Sequence, residues 1–170
     1  MSKFLNSLTG VILLSLLCFA QIQATNPNNP PIEGERRVLY TVSQTRLDIV
    51  NFASVHTGIK YVSAGRSIKG FDCSGFTSYC LKYFDFNVSA SSAAQAATGK
   101  RIEFSEARPG DLIFFGSKKS VTHVAMVVEN DGEHLMIVHS TSSKGVMIED
   151  VYASKYWKPK MKFARNVLND

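Results

Sequence analysis

A chain of 170 residues with 45% apolar residues and a formal net charge of +5 has room for one folded domain. Its cations are spread over Arg36-Arg37, Lys100-Arg101, Lys118-Lys119 and Lys158 to Lys162, without the basic stripe and interleaved stacking aromatics of a nucleic-acid binder. Three cysteines are too few for a disulfide scaffold, and the mild positive balance suits approach to an anionic polymer.

Met1 to Ala24 carries Lys3 near its start, an uncharged core from Leu8 to Ala20, and the ending Gln21-Ile22-Gln23-Ala24. That is the pattern of a secretory signal peptide cleaved after Ala24, and its apolar core is too short for a membrane span. Cys18 raises a lipid-anchored alternative, but Leu16 and Leu17 lack the small residue that lipoprotein processing favours. Asn and Pro dominate the next stretch, and residues 25–36 read as a disordered leader before a domain at 37–170.

A first helix is predicted over about Arg37 to His56, ended by Gly58. The loop Tyr61 to Gly70 leads to a second helix, Cys73 through Phe84, with apolar residues at Phe76, Tyr79, Cys80 and Tyr83. Ser91 to Thr98 is a short helix stopped by Gly99. From Pro109-Gly110 onward the pattern changes to strands at Leu112–Phe115, His123–Glu129, Leu135–His139, Val146–Glu149 and Met161–Ala164, with Asn130-Asp131-Gly132-Glu133 as a hairpin link. Helices followed by an antiparallel sheet make the fold class α+β. The length leaves no room for a second folded domain.

Cys73 falls at the first position of its helix, where unpaired N–H groups and the helix dipole favour an anion and lower a thiol's pKa. Adjacent antiparallel strands put His123 and His139 on one face of a sheet, beside the helix that presents the cysteine. A thiol, a base and an orienting group form an activated nucleophile. Cys80 is seven residues from Cys73, roughly 10 Å along the helix, beyond the about 7 Å a disulfide allows; it reads as core. His56 and His134 read as solvated, Asp111 as a turn former, and Trp157 with Phe114-Phe115 as core or groove wall. Cys73, His123 and His139 are also a possible zinc set, although paired spacings such as C-x-x-C are lacking.

Asp72-Cys73-Ser74-Gly75-Phe76, Arg108-Pro109-Gly110-Asp111-Leu112-Ile113-Phe114-Phe115, Thr122-His123-Val124-Ala125-Met126 and Ile137-Val138-His139-Ser140 occur in the order and spacing of the NlpC family of bacterial cell-wall cysteine endopeptidases, which the chain resembles. Ser92-Ala93-Ala94-Gln95 is a weaker match. The resemblance implies a papain-like fold with N-terminal helices packed on a central antiparallel sheet. It implies Cys73 as nucleophile, His123 as base and His139 as the group that orients it. Tyr61 matches a tyrosine lining the family's site, and Asp72 with Ser74 match positions that help bind the free amino end of a stem peptide. Ala64 departs from a Gly-Gly pair of relatives, at little cost unless its φ is positive.

The activity implied is hydrolysis of peptidoglycan stem peptides or muropeptides between γ-D-glutamate and diaminopimelate, by a secreted, periplasmic or extracellular monomer that needs no cofactor or metal. Alternatives are an amidase cutting between the sugar and L-alanine with the same residues, or a non-catalytic zinc- or wall-binding module.

Overall fold

The computed structural model describes residues 33–168, with side chains from Thr41 onward. The expected signal peptide and most of the expected leader lie outside the described residues. Helix α1 runs Glu33–Ser54, so it opens inside the stretch read as leader and closes two residues before the predicted end. Ile49, Val50 and Ala53 form its buried stripe, at the i, i+1 and i+4 spacing of a core-facing face. From Thr41 onward the described residues form a compact unit of their own.

The predicted 61–70 loop contains a short hairpin, β1 (Arg66–Ser67) with β2 (Gly70–Phe71). Helix α2 spans Cys73–Tyr83 and buries Phe76, Thr77, Cys80 and Leu81. Ser92–Gln95 forms the single turn α3. The strands are β3 (Lys100–Ile102), β4 (Leu112–Gly116), β5 (Val121–Asn130), β6 (Leu135–Thr141), β7 (Gly145–Asp150) and β8 (Met161–Asn166). They form one antiparallel sheet in the order β3-β8-β4-β5-β6-β7. β3 was not predicted: Lys-Arg-Ile offers one apolar residue and pairs only with β8 at the sheet edge.

Side-chain alternation divides the core. Leu112, Phe114, Val124, Met126 and Val138 face α1 and α2, packing on Ile49, Phe76, Cys80 and Leu81. Ile113, Phe115, Ala125, Val127 and Ile137 point the other way, towards Val151 and Trp157. Each large apolar side chain so buried contributes roughly 1.5–3 kcal/mol. Arg46 of α1 donates to the carbonyl of Pro109 at 2.6 Å and to Oδ1 of Asp111 at 2.9 Å, fixing the turn that starts β4. Asp111 Oδ2 accepts the Arg108 N–H at 2.8 Å, so Asp111 is the turn former the sequence indicated. His56 departs from expectation. It is buried, its Nδ1 lies 2.7 Å from the Phe52 carbonyl, and its ring packs among Phe52, Phe71 and Tyr79. His134 is exposed and pairs with Asp150 at 2.8 Å.

Candidate active site

Asp72 starts α2. Its Oδ1 accepts the Gly75 N–H at 2.6 Å and its carbonyl accepts the Phe76 N–H, which places Cys73 at the first helical position. Ser74 is buried, and its hydroxyl reaches Asp72 Oδ1 at 3.1 Å and the Ala90 carbonyl at 3.2 Å. Gln95 stabilises the same turn from α3. Its amide donates to the Ser74 and Ser89 carbonyls while its oxygen accepts from Thr77. Asp72 and Ser74 are thus engaged within the fold, and neither is among the residues that line the cleft in front of Cys73.

That cleft has a volume of about 830 Å³ and is bounded by Tyr61, Cys73, His123, Met147, Glu149 and Trp157, with Lys144 and Lys160 at its margin. Tyr61 reaches it from the segment that bridges to Phe71. Burial raises the Tyr61 pKa, and the nearby charges of Cys73 and Asp72 raise it further. Cys73 is half-buried.

His123 is the third residue of β5, opposite Phe115. Because Met126 pairs with Val138, odd-numbered residues of β5 share a face with Ile137 and His139 of β6. The histidines are therefore diagonal neighbours, within reach of ring side chains. Nε2 of His123 lies 2.9 Å from Nδ1 of His139. The face is not the one expected, however. It is the face opposite α2, covered by the segment bearing Trp157, and Cys73 and His123 share only the lining of one cleft. The link is the start of β5: the Val124 N–H, one residue past His123, points at the Cys73 sulfur together with the N–H groups of Ser74 and Cys73 itself.

Two further residues complete the arrangement. Glu149 pairs with Ile137 across β6–β7, which puts it on the histidine face. Its Oε1 lies 2.8 Å from His139 Nε2 and 2.9 Å from the indole Nε1 of Trp157. The Trp157 ring stacks on His123, with centroids 4.4 Å apart and planes at 24°. Trp157 was anticipated as groove wall, but Glu149 was not singled out. Alternation within β7 was its only signal, and that needs the β6–β7 register to be read.

The electrostatics reverse one expectation. Burial pushes the Cys73 thiol up, and the Asp72 charge adds to this; the three backbone N–H groups pull it down but by less. Burial, and then the neighbouring His139, lower His123 to about 3. Burial also lowers His139, against the opposing pull of Glu149. Helix-start position alone favours a thiolate at Cys73; burial in this site favours the thiol and the neutral imidazole. A zinc reading fits poorly. The facing nitrogens of the two histidines engage each other and the second His139 nitrogen engages Glu149, so few lone pairs are left for a cation. Among the described residues, no cluster of three or more His, Cys, Asp or Glu is arranged to hold a metal.

Comparison with known proteins places this geometry. A probable endopeptidase p60 from Listeria grayi is 30% identical over 141 residues, covering 83% of this chain and 27% of that protein. The murein DD-endopeptidase MepS/murein LD-carboxypeptidase of Escherichia coli (strain K12) is 33% identical over 113 residues, covering 66% of this chain and 57% of that protein. The chain thus spans between about a quarter and somewhat over half the length of these relatives. The crystal structure of the NlpC/p60 domain of the peptidoglycan hydrolase SagA superposes with a TM-score of 0.60 at 30% identity, over 71% of this chain and 97% of that one. With residues 58–166 matching the NlpC/P60 family from before α2 to the last strand, the chain belongs to that family.

Proposed function

We propose that this protein is a cysteine peptidase that hydrolyses peptidoglycan stem peptides, with Cys73 as nucleophile, His123 as general base and His139 as the residue that orients it. The observation that carries the reading is a helix-start thiol sharing one cleft with a histidine whose far nitrogen is held 2.9 Å from a second histidine. The names of the Listeria, Escherichia and SagA proteins support the substrate class. The signal-like N-terminus and the murein named for the Escherichia relative support action outside the cytoplasm. No helix among the described residues is long and apolar enough to cross a membrane.

With His123 Nε2 engaged by His139, Nδ1 is the nitrogen left to act as base. The Cys73 S–H proton passes to Nδ1 as sulfur bonds to the substrate carbonyl carbon. The N–H groups at the start of α2 stabilise the resulting oxyanion, with Tyr61 as a substrate or oxyanion contact. Collapse expels the amine, which takes the proton from His123 and leaves a thioester. Water then gives its proton to His123 and attacks the thioester. The C–S bond breaks, the acid product leaves, and sulfur recovers the proton. Asp72 and Ser74, which do not line the cleft, remain candidate contacts for a stem's amino end only by the family resemblance.

The scissile bond we propose is γ-D-glutamyl-diaminopimelate. Purified muropeptides incubated with the protein, beside Cys73→Ala, and read by mass spectrometry test both parts. Cysteine-dependent fragments split after D-glutamate support the proposal. Resolution of cross-linked dimers would assign instead the DD-endopeptidase activity for which the Escherichia relative is named, and loss of the sugar would assign an amidase. No cleavage by folded protein across tri-, tetra- and pentapeptide stems would favour a wall-binding module.

A further inference from the structure

The hydrogen bonds behind His139 fix more than its position. Glu149 Oε1 lies within hydrogen-bond distance of both Trp157 Nε1 and His139 Nε2. An indole N–H is a donor only and a carboxylate is an acceptor only, so the proton between His139 and Glu149 belongs to His139 Nε2. A neutral imidazole carries one ring proton, which makes His139 Nδ1 an acceptor. The 2.9 Å contact from that atom to His123 Nε2 must then be donated by His123. His123 is left with its lone pair on Nδ1, the nitrogen the mechanism needs.

We propose that Glu149, held by the Trp157 indole, is a positioning residue that sets the tautomers of His139 and His123 in series and keeps His123 Nδ1 free to accept the Cys73 proton. The inference rests on the assignment of Cys73 and His123 made above. Glu149 itself is part-exposed at the cleft, with 25% of its side chain accessible, and Trp157 supplies both its N–H anchor and the plane on which His123 stacks. The stack prevents ring rotation while the proton chain selects the tautomer.

Removing the acceptor and inverting it have different consequences. Glu149→Leu leaves His139 without a partner at Nε2 and lets both tautomers populate; kcat falls on the order of 10²-fold with KM little changed. Glu149→Gln behaves differently because Trp157 still needs an oxygen. The amide oxygen stays in the shared position, His139 keeps its Nε2 proton, and only the charge is lost, so kcat falls several-fold. Adding Trp157→Phe frees that amide to turn its NH₂ towards His139. The chain then inverts, the proton of His123 moves to Nδ1, and kcat falls by more than the product of the two single effects. Such an imposed wrong tautomer costs about 10⁴-fold in the serine-protease triad.

The test is nitrogen-15 NMR of the histidine rings in the Cys73→Ala protein, with and without each Glu149 change, beside kcat and KM measured with Cys73 intact. Nε2–H tautomers of both rings that are lost in Glu149→Leu and retained in Glu149→Gln, with partial rescue of kcat, are the expected result. Unaltered tautomers in Glu149→Leu, or a Gln variant as impaired as the Leu variant at equal melting temperature, would overturn the inference. Tautomers that follow Glu149 in a chain that cleaves no peptide would uphold the relay and sink the peptidase reading. Cleavage indifferent to Glu149 would do the reverse.

Discussion

Two buried polar networks lie at opposite ends of β4, roughly 13 Å apart at the strand's rise per residue. At its start, Arg46 grips Asp111, the Pro109 carbonyl and, at 3.3 Å, Asn166 Oδ1. Opposite its far end, His123, His139, Glu149 and Trp157 form a chain. The first network turns inward onto turn backbone and joins α1 to β4 and β8. The second stops at a cleft with one imidazole nitrogen beyond the reach of its His139 bond. Burial raises the Asp111 pKa by more than Arg46 and the Arg108 N–H lower it, so that pair specifies a geometry more than it adds stability. Burial in the histidine chain favours the neutral form of both rings, and a neutral imidazole is what a general base requires. A closed network acts as a clamp; one with an open end can move a proton.

Exchanging the two roles by mutation gives the largest predicted effects. His123→Ala should lower kcat/KM by at least about 10³-fold while the protein stays folded. Arg46→Ala should show the opposite profile. It leaves Asp111 buried without its cation and should cost about 3–5 kcal/mol in denaturant unfolding, with the folded fraction keeping its specific activity. Equal effects on both readouts in both variants would erase the distinction.

Acid sharpens it. The unfolded chain protonates His123 near the ordinary imidazole value, whereas the folded site holds it down to about 3. The unfolded state therefore binds more protons in that window. Stability is fully present above about pH 6.5 and is lost, by a few kcal/mol, as pH falls towards 3. Melting curves of His123→Gln should fall less steeply across the same range. Matching slopes would mean that His123 is charged in the fold and that the resting state is an ion pair.

Cys80, fully buried on the helix side with its thiol pushed up to about 12, gives a smaller contrast. Cys80→Ala should cost about 1–2 kcal/mol in stability and spare turnover. The smallest effect concerns the loop before Cys73. Ala64 has φ of +56°, which is the condition under which its difference from the Gly-Gly pair of relatives carries a cost. Ala64→Gly should raise stability by up to about 1 kcal/mol, since relief of left-handed strain exceeds the added chain entropy only slightly.

Local pattern was legible wherever it reported on local physics. The helical spacing of Phe76, Tyr79, Cys80 and Tyr83 marked α2, whose start at Cys73 was read to the residue, because amphipathicity is written within a few positions. Apolar runs gave β4 through β8 within two residues. What was misread depends on partners distant in sequence. β3 exists only because β8 pairs with it. The face carrying His123 and His139 follows from register, as does the inclusion of Glu149. The sign of the Cys73 shift turned on burial, which outweighs the backbone N–H groups that the helix start does supply. His56 looked solvated at a helix end, but its ring fills a space among Phe52, Phe71 and Tyr79.

The most direct test of the account is titration of muropeptide turnover against iodoacetamide, with the modified residue located by peptide mass. The account predicts that activity falls linearly to zero as carboxamidomethylation of Cys73 reaches one equivalent, with Cys80 unmodified in the folded protein. Turnover that survives complete modification of Cys73, or a loss that follows Cys80 instead, would contradict it.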